Sequence, residues 1–345
     1  VTASIGDNVL LSAGQDALGS SLPLGGLTVS AEAASDAWLI TAALAAATGA
    51  SATAVGGTIN VMAPESTVRA AVGTGSRVYA DGPVVISAKN TAMMVPIAAS
   101  LAGSTGSTAA GGTLQIIVSA NRAYADIGEN VLIHSTDDVT LSAENKDSLI
   151  SVLASASGST GTTPTLAGTL NVLISRTIAH AAVGAGATIK AHNLLINAQA
   201  ASKLLTVMAA VSGSTGGTAA GATVNVNVLN RDVLAGFLNS GISSQIDTTG
   251  DAVITAIADE SLLGITIAGA ATAGNTAISG NIPVYVSNST VNAQTGDGTT
   301  INTSGSIDVM ASLRSQDYII AANISASSNT AVGTTLSTAV FLNTV

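Results

Sequence analysis

The 345-residue sequence has no cysteine, which excludes disulfides and thiolate metal ligands. Charge is scarce. Asp, Glu, Lys and Arg together make up 9% of the chain, against roughly a quarter in ordinary soluble domains. Ten Lys and Arg against twenty Asp and Glu leave a net charge of −10. No basic cluster is present to neutralise phosphate, so nucleic acid is excluded as a partner and an anionic membrane surface is disfavoured. Aromatics are 2% of the residues, too few for the interfacial girdles of an outer-membrane barrel. No apolar run is long enough for a transmembrane helix, and Val1-Thr2-Ala3-Ser4 does not resemble the start of a secretion signal. Membrane insertion is therefore not expected.

What remains is small, aliphatic and hydroxylated, with 47% hydrophobic residues and a mean hydropathy of +0.53. It is also repetitive. Gly-Ser-Thr-Gly occurs at Gly103 to Gly106, Gly158 to Gly161 and Gly213 to Gly216. Each copy precedes an alternating run, of which Gly221-Ala222-Thr223-Val224-Asn225-Val226-Asn227-Val228 is the clearest. Weaker copies flank these, and the five intervals from Thr58 to Thr335 give a period of about 55 residues. The repeat units fall near 1–72, 73–127, 128–183, 184–240, 241–298 and 299–345. The opening Ala3-Ser4-Ile5-Gly6-Asp7-Asn8 matches Ala125-Asp126-Ile127-Gly128-Glu129-Asn130. The chain thus reads as a segment cut from a longer array.

Within one unit, short segments rich in β-branched residues or alternating in polarity predict strands, and no capping box leads into a helical period. Even Ala37 to Ala47, which is helix-like in isolation, aligns with strand-like counterparts at Leu149 to Ser155 and Leu204 to Val211. In the unit from Gly184 to Ser240, strands are expected at Ala185 to Ala191, Leu194 to Ala200, Leu204 to Ser212, Gly221 to Leu229 and Val233 to Leu238. Corners are expected at Ala201-Ser202-Lys203 and Asn230-Arg231-Asp232. The fold class is all-β, a β-solenoid, with a right-handed parallel β-helix as the expected form. Hairpins through the Gly-Ser-Thr-Gly turns are the alternative. About two coils per repeat would give roughly twelve rungs and a rod near 60 Å long. The largest insertion is Ser12 to Gly26, and a smaller one is Thr295 to Thr300.

Equivalent positions form rows. Asn60, Gln115, Asn171 and Asn225 align after the Gly-Thr step and predict a structural amide ladder, with a flat recognition face as the functional alternative. The turn glycines are Gly103, Gly106, Gly158, Gly161, Gly213 and Gly216. Arg122, Arg176 and Arg231 recur once per unit, as solvated corner charges or, alternatively, as an anion-binding stripe.

Signals for chemistry are weak. His134, His180 and His192 have no partner at metal-ligand spacing. Gly184-Ala185-Gly186 lacks the third glycine and the helix of a dinucleotide site. The acid pairs Asp137-Asp138 and Asp259-Glu260 fall at expected corners, and Asp297 is an isolated candidate for calcium. No catalytic, cofactor-binding or metal residue is assigned, and no enzyme activity is expected.

Units of Gly-x-x-Ala-x-Ile-x-Ala, Val-x-Ile-x-Ala-x-Asn, an Ala-rich strand, Gly-Ser-Thr-Gly and Gly-Gly-Thr-Leu-x-Val resemble the repeats of large bacterial filamentous-haemagglutinin and leukotoxin-like adhesins. The resemblance spans the chain. It implies a type V secreted, right-handed β-helical stalk at the bacterial cell surface or in the medium, with no active site. The expected partners are further repeats or neighbouring copies of the same chain, packed laterally into filaments. A receptor on a host cell or another cell surface is not named by the sequence. A polysaccharide-active β-helical enzyme and an outer-membrane β-barrel are the competing classes.

Overall fold

The computed structural model describes residues 1–13, 25–238 and 241–345. Most of the expected insertion at Ser12 to Gly26 lies outside them. In chain order the strands are β1 (Thr2–Ile5), β2 (Leu10–Ala13), β3 (Leu27–Ala47), β4 (Ala54–Met62), β5 (Glu65–Val72), β6 (Arg77–Ala80) and β7 (Val84–Ser104). There follow β8 (Ala109–Ile127), β9 (Leu132–Ser135), β10 (Val139–Ser159), β11 (Thr165–Val183), β12 (Thr188–Ala191), β13 (Leu194–Ser214) and β14 (Ala219–Phe237). The last are β15 (Gln245–Thr248), β16 (Ala252–Thr272), β17 (Thr276–Gln294), β18 (Thr300–Thr303), β19 (Ile307–Ser327), β20 (Thr330–Thr335) and β21 (Thr338–Thr344).

Every pairing is parallel, and the strands form three open sheets. One runs β3-β7-β10-β13-β16-β19, a second has β8, β11, β14 and β17 at its centre, and the third runs β2-β6-β9-β12-β15-β18. The fold is a parallel β-solenoid, consistent with a right-handed β-helix. Parallel pairing in open sheets excludes the antiparallel closed barrel and the antiparallel hairpins through the Gly-Ser-Thr-Gly turns.

The coil count differs from expectation. Val84 pairs with Val139 and Val139 with Leu194, so one repeat of about 55 residues makes one coil, not two. Six strands stand in the first sheet, and at about 4.8 Å per rung they span only ~24 Å along the axis. Each coil is correspondingly wide. A 21-residue strand at about 3.3 Å per residue is ~70 Å long. The molecule is a broad blade rather than a 60 Å rod. The expected corners Ala201-Ser202-Lys203 and Asn230-Arg231-Asp232 lie inside β13 and β14, and Asp259-Glu260 lies inside β16. Asp137-Asp138 does occupy a corner, between β9 and β10.

The two ends of the blade are built differently. At the base, where the short sheet closes a triangle, the interior is apolar in the ordinary way. Val78, Val84, Ile86, Ala125, Ile127, Leu141 and Ile196 belong to one buried cluster. Toward the tip only two sheets face each other, and they approach closely. A Cβ added at Gly111 would lie 2.7 Å from the Ala156 carbonyl oxygen, and one at Gly221 would lie 2.1 Å from that of Gly269. Few branched aliphatics fit in so thin an interior. The inward positions hold a Leu/Met/Ile/Tyr layer that includes Leu149, Leu173, Leu204 and Tyr285, a smaller cluster of Ala98, Leu153 and Met208, and otherwise mainly Ala, Ser, Thr and Asn. Side chains alternate with period two, so the aliphatics of each alternating run point outward. Asn225 and Asn227 are buried, whereas Val224, Val226 and Val228 face out.

Candidate functional site

The amides form an internal spine. Asn60, Gln115, Asn171 and Asn225 stand on successive strands of one sheet, all at most 1% exposed. Gln115 Nε2 donates to Asn171 Oδ1 at 3.2 Å, and Asn171 Nδ2 donates to Asn225 Oδ1 at 2.8 Å. Asn225 Nδ2 donates to the Tyr285 hydroxyl at 2.7 Å. Asn60 accepts from Thr41 Oγ1 at 2.6 Å. These amides face the other sheet, so they offer no recognition surface. They join the rungs and tie the two layers together.

A second polar layer lies where the apolar base interior meets the tip interior. Asp147 on β10 accepts from Asn121 Nδ2 at 2.7 Å and from the Thr177 hydroxyl. Arg231 on β14 pairs with Glu260 on β16 at 2.7 Å, with both side chains at most 2% exposed. The Ser287 hydroxyl donates to Glu260 Oε2 at 2.9 Å and accepts from Arg231 Nη1 at 3.3 Å. Burial pushes the Asp147 carboxyl up to about 6, against the opposing pull of its two hydrogen bonds and of Arg231. A cavity of about 20 Å³ beside Asp147, Ser202 and Arg231 has room for one water. The Arg231 and Glu260 side chains of this layer lie almost wholly buried between the sheets.

The three arginines do not form a stripe. Arg231 is level with Thr177, Arg176 with Asn230, and Arg122 with Ile178. A one-residue shift in a strand moves a side chain to the opposite face. Arg231 is accordingly interior, Arg176 is exposed, and Arg122 reaches out to Glu65 at 3.3 Å. The outer base surface carries further pairs, Arg69 with Asp126 at 2.9 Å and Lys89 with Glu32 at 3.4 Å.

The histidines stay apart in separate settings. His180 packs edge-on against Tyr124 with ring centroids 5.6 Å apart, and its Nε2 is 3.1 Å from Asp232 Oδ2. That contact holds the Asp232 carboxyl below its usual range. His134 lies near Tyr79, and His192 Nδ1 is 2.9 Å from the Thr249 hydroxyl. Asp138 accepts from the backbone and side-chain amides of Asn193, and Asp251 is held low chiefly by the Ser306 backbone amide. Asp297 lies in the turn before β18. Among the described residues no three His, Asp or Glu side chains group as a metal site.

At the tip, stacked turns line a groove of about 930 Å³ running across the rungs. Here the six glycines divide into two kinds. A Cβ at Gly103 or Gly158 would meet nothing within 4 Å, and one at Gly213 would only touch the Ala271 carbonyl. A Cβ at Gly106 would lie 2.0 Å from the Gly49 carbonyl oxygen, and one at Gly161 would lie 2.5 Å from that of Gly106. Those two are needed for turns to stack at rung spacing. Gly216 has a milder contact at 3.1 Å, and its neighbour Gly217 takes the tight position, 2.1 Å from the Thr163 carbonyl.

No family model, curated protein or solved structure matches this chain. The reading of its function therefore rests on the geometry and on the repeat pattern. Sequence reasoning missed the Asp147–Arg231–Glu260 layer. The only signal for it was an interruption of charge within otherwise aliphatic strands, which looked like a corner.

Proposed function

We propose that the chain is a non-catalytic structural element of an extracellular or cell-surface assembly, of the bacterial adhesive-stalk kind that its repeats resemble. The observation that supports this most is the continuity of bonding along the axis. All three sheets are parallel and in register from rung to rung, and the buried amide spine and hydroxyl-capped turns repeat that bonding through side chains. Such a stack resists bending and local opening, because each rung is held by both neighbours. The further partners are rungs of the same shape.

Electron cryo-microscopy of the purified chain tests this reading. Filaments or stacked particles with a 4.8 Å axial spacing are the expected result. Dispersed single particles that do not stack at any concentration, or release of sugars from a polysaccharide panel, would overturn it.

A further inference from the structure

Charge stops at one level on both sides of the blade. On one sheet the last charged position toward the tip is Lys203, and on the other it is Arg231. Residues 204–230, which pass around the tip between them, include no Asp, Glu, Lys, Arg or His. The equivalent segments 37–64, 94–121, 149–175 and 262–296 also include none. Within this half the usual arrangement is reversed. The outward positions from Leu205 to Val211 and from Ala220 to Val228 are all aliphatic, whereas the buried positions between them mix Thr206, Ser212, Thr223, Asn225 and Asn227 with Met208 and Ala210. Polar-in and apolar-out is the alternation of strands that face lipid.

The dimensions agree. The outward aliphatic band is ~20 Å tall on the first sheet and ~26 Å on the second, at about 3.3 Å per residue. Outer-membrane strands carry an apolar band of about 25 Å. The band covers both opposite faces, and the tip that joins them is uncharged. A protein partner on one side would leave the other side bare, whereas a hydrocarbon medium contacts both.

Two exposed aromatics mark the edge of the band. Trp38 and Tyr318 are 62% and 63% exposed. Trp38 pairs with Val95, Tyr318 with Leu263, and Leu263 with Leu205, so both lie in the first aliphatic row beyond the charged level. That is where Trp and Tyr sit at a membrane–water interface. Part of the tip backbone bonds from rung to rung, in the manner hydrocarbon favours. Thr160 N donates to Ser104 O at 3.2 Å, Thr215 N to Ser159 O at 3.1 Å, and the Thr160 hydroxyl to Thr105 O at 2.8 Å.

We propose that the tip half of the blade inserts edge-on into the hydrocarbon of a phospholipid bilayer. The charged base stays in water, and Trp38 and Tyr318 lie at headgroup level. This departs from the sequence-based expectation of no membrane insertion, which had weighed net charge, long apolar runs and aromatic content but not which residues face outward. It rests on the structural reading above in one respect. The edges of β3 and β19 must be covered by further rungs, because open sheet edges are not tolerated in lipid.

The test is flotation of the chain with uncharged vesicles of phosphatidylcholine, read together with fluorescence of Trp38, the only tryptophan. The expected result is co-flotation and a blue shift of Trp38 emission. Lipids brominated near the headgroup should quench Trp38 more than lipids brominated deep in the chains. The double variant Val207→Asp/Val226→Asp should lose bound fraction at least tenfold, and Asn197→Asp on the base should not. Wild-type protein that stays at the bottom of the gradient, or Trp38 emission unchanged by vesicles, would overturn the proposal without any reliance on the variants. Sedimenting assemblies that never float and that dissolve on Val207→Asp/Val226→Asp would mean that copies of the chain cover these faces, which also overturns it. Filaments that form in buffer but do not float would sink this inference and leave the structural reading standing. Flotation without axial stacking would overturn the structural reading and, with it, an edge-on insertion that needs the edges of β3 and β19 covered.

Discussion

Replacing Asp147 with Asn removes one buried titration and leaves the shape nearly unchanged. The Asp147 carboxyl is raised by burial from 3.8 to about 6. The native state therefore holds a proton between these values that the unfolded chain releases. Stability must then fall as pH rises from about 4 to about 6. A shift of about two units corresponds to roughly 3 kcal/mol, at ~1.4 kcal/mol per unit. Asp126, also raised chiefly by burial, adds in the same direction. Asp232 and Asp251 have lowered values, and their contributions are lost only below the ordinary carboxylate range, outside this window. The measurement is the urea midpoint of parent and Asp147→Asn from pH 4 to 7.5. At pH 4 the two should differ only by whatever the altered hydrogen bonds to Asn121 and Thr177 cost, about 1 kcal/mol. The variant should then gain on the parent steadily up to pH 7, by as much as ~3 kcal/mol. A difference independent of pH, or a parent that strengthens toward pH 7, would show that Arg231 holds the carboxylate ionised and would refute the argument.

Three further outcomes are expected. Arg231→Met leaves Glu260 buried without its cation and should cost about 3–5 kcal/mol in denaturant unfolding, and adding Glu260→Gln should restore most of it. Gly161→Ala forces a Cβ against the Gly106 carbonyl and should lower the melting temperature, whereas Gly158→Ala, with open space, should be neutral or raise it by up to about 1 kcal/mol of stability. Asn171→Leu breaks the spine between Gln115 and Asn225. It should cost about 1–3 kcal/mol for each amide left unsatisfied, with hydrogen exchange speeding first in β8, β11 and β14.

The solenoid class was legible because β-branched alternation and a fixed period leave few other folds. The width of the coil was not. Ala201-Ser202-Lys203 and Asn230-Arg231-Asp232 interrupt aliphatic strands, and interruption in a sequence usually means a bend. Here it means that the contents of the core change while the strand runs straight on. The direction of alternation was equally hidden. Val224, Asn225, Val226 and Asn227 have the same pattern whichever set is buried, and habit assigns the valines to the core. Only the closeness of the two sheets, seen at Gly111 and Gly221, decides for the asparagines. The amide row Asn60 to Asn225 could be aligned from the repeat, but its enclosure could not. The Arg122, Arg176, Arg231 row failed because positions one residue apart look equivalent in a loose alignment and are opposite in a strand.

Strand lengths do not vary from one interior coil to the next. The interior coils each have one strand of 4, one of 21 and one of 19 residues. Length differences fall instead in the turns, as in the step of 58 residues from Leu194 to Ala252 against 55 from Val139 to Leu194. A gene encoding such a protein can lose or duplicate one whole unit in frame and leave every remaining side chain on its proper face. A deletion of a single codon inside a long strand would turn half of that coil inside out. Change in this array is therefore channelled into whole-unit exchange and corner insertions, and its reach along the axis is the property most easily altered by descent.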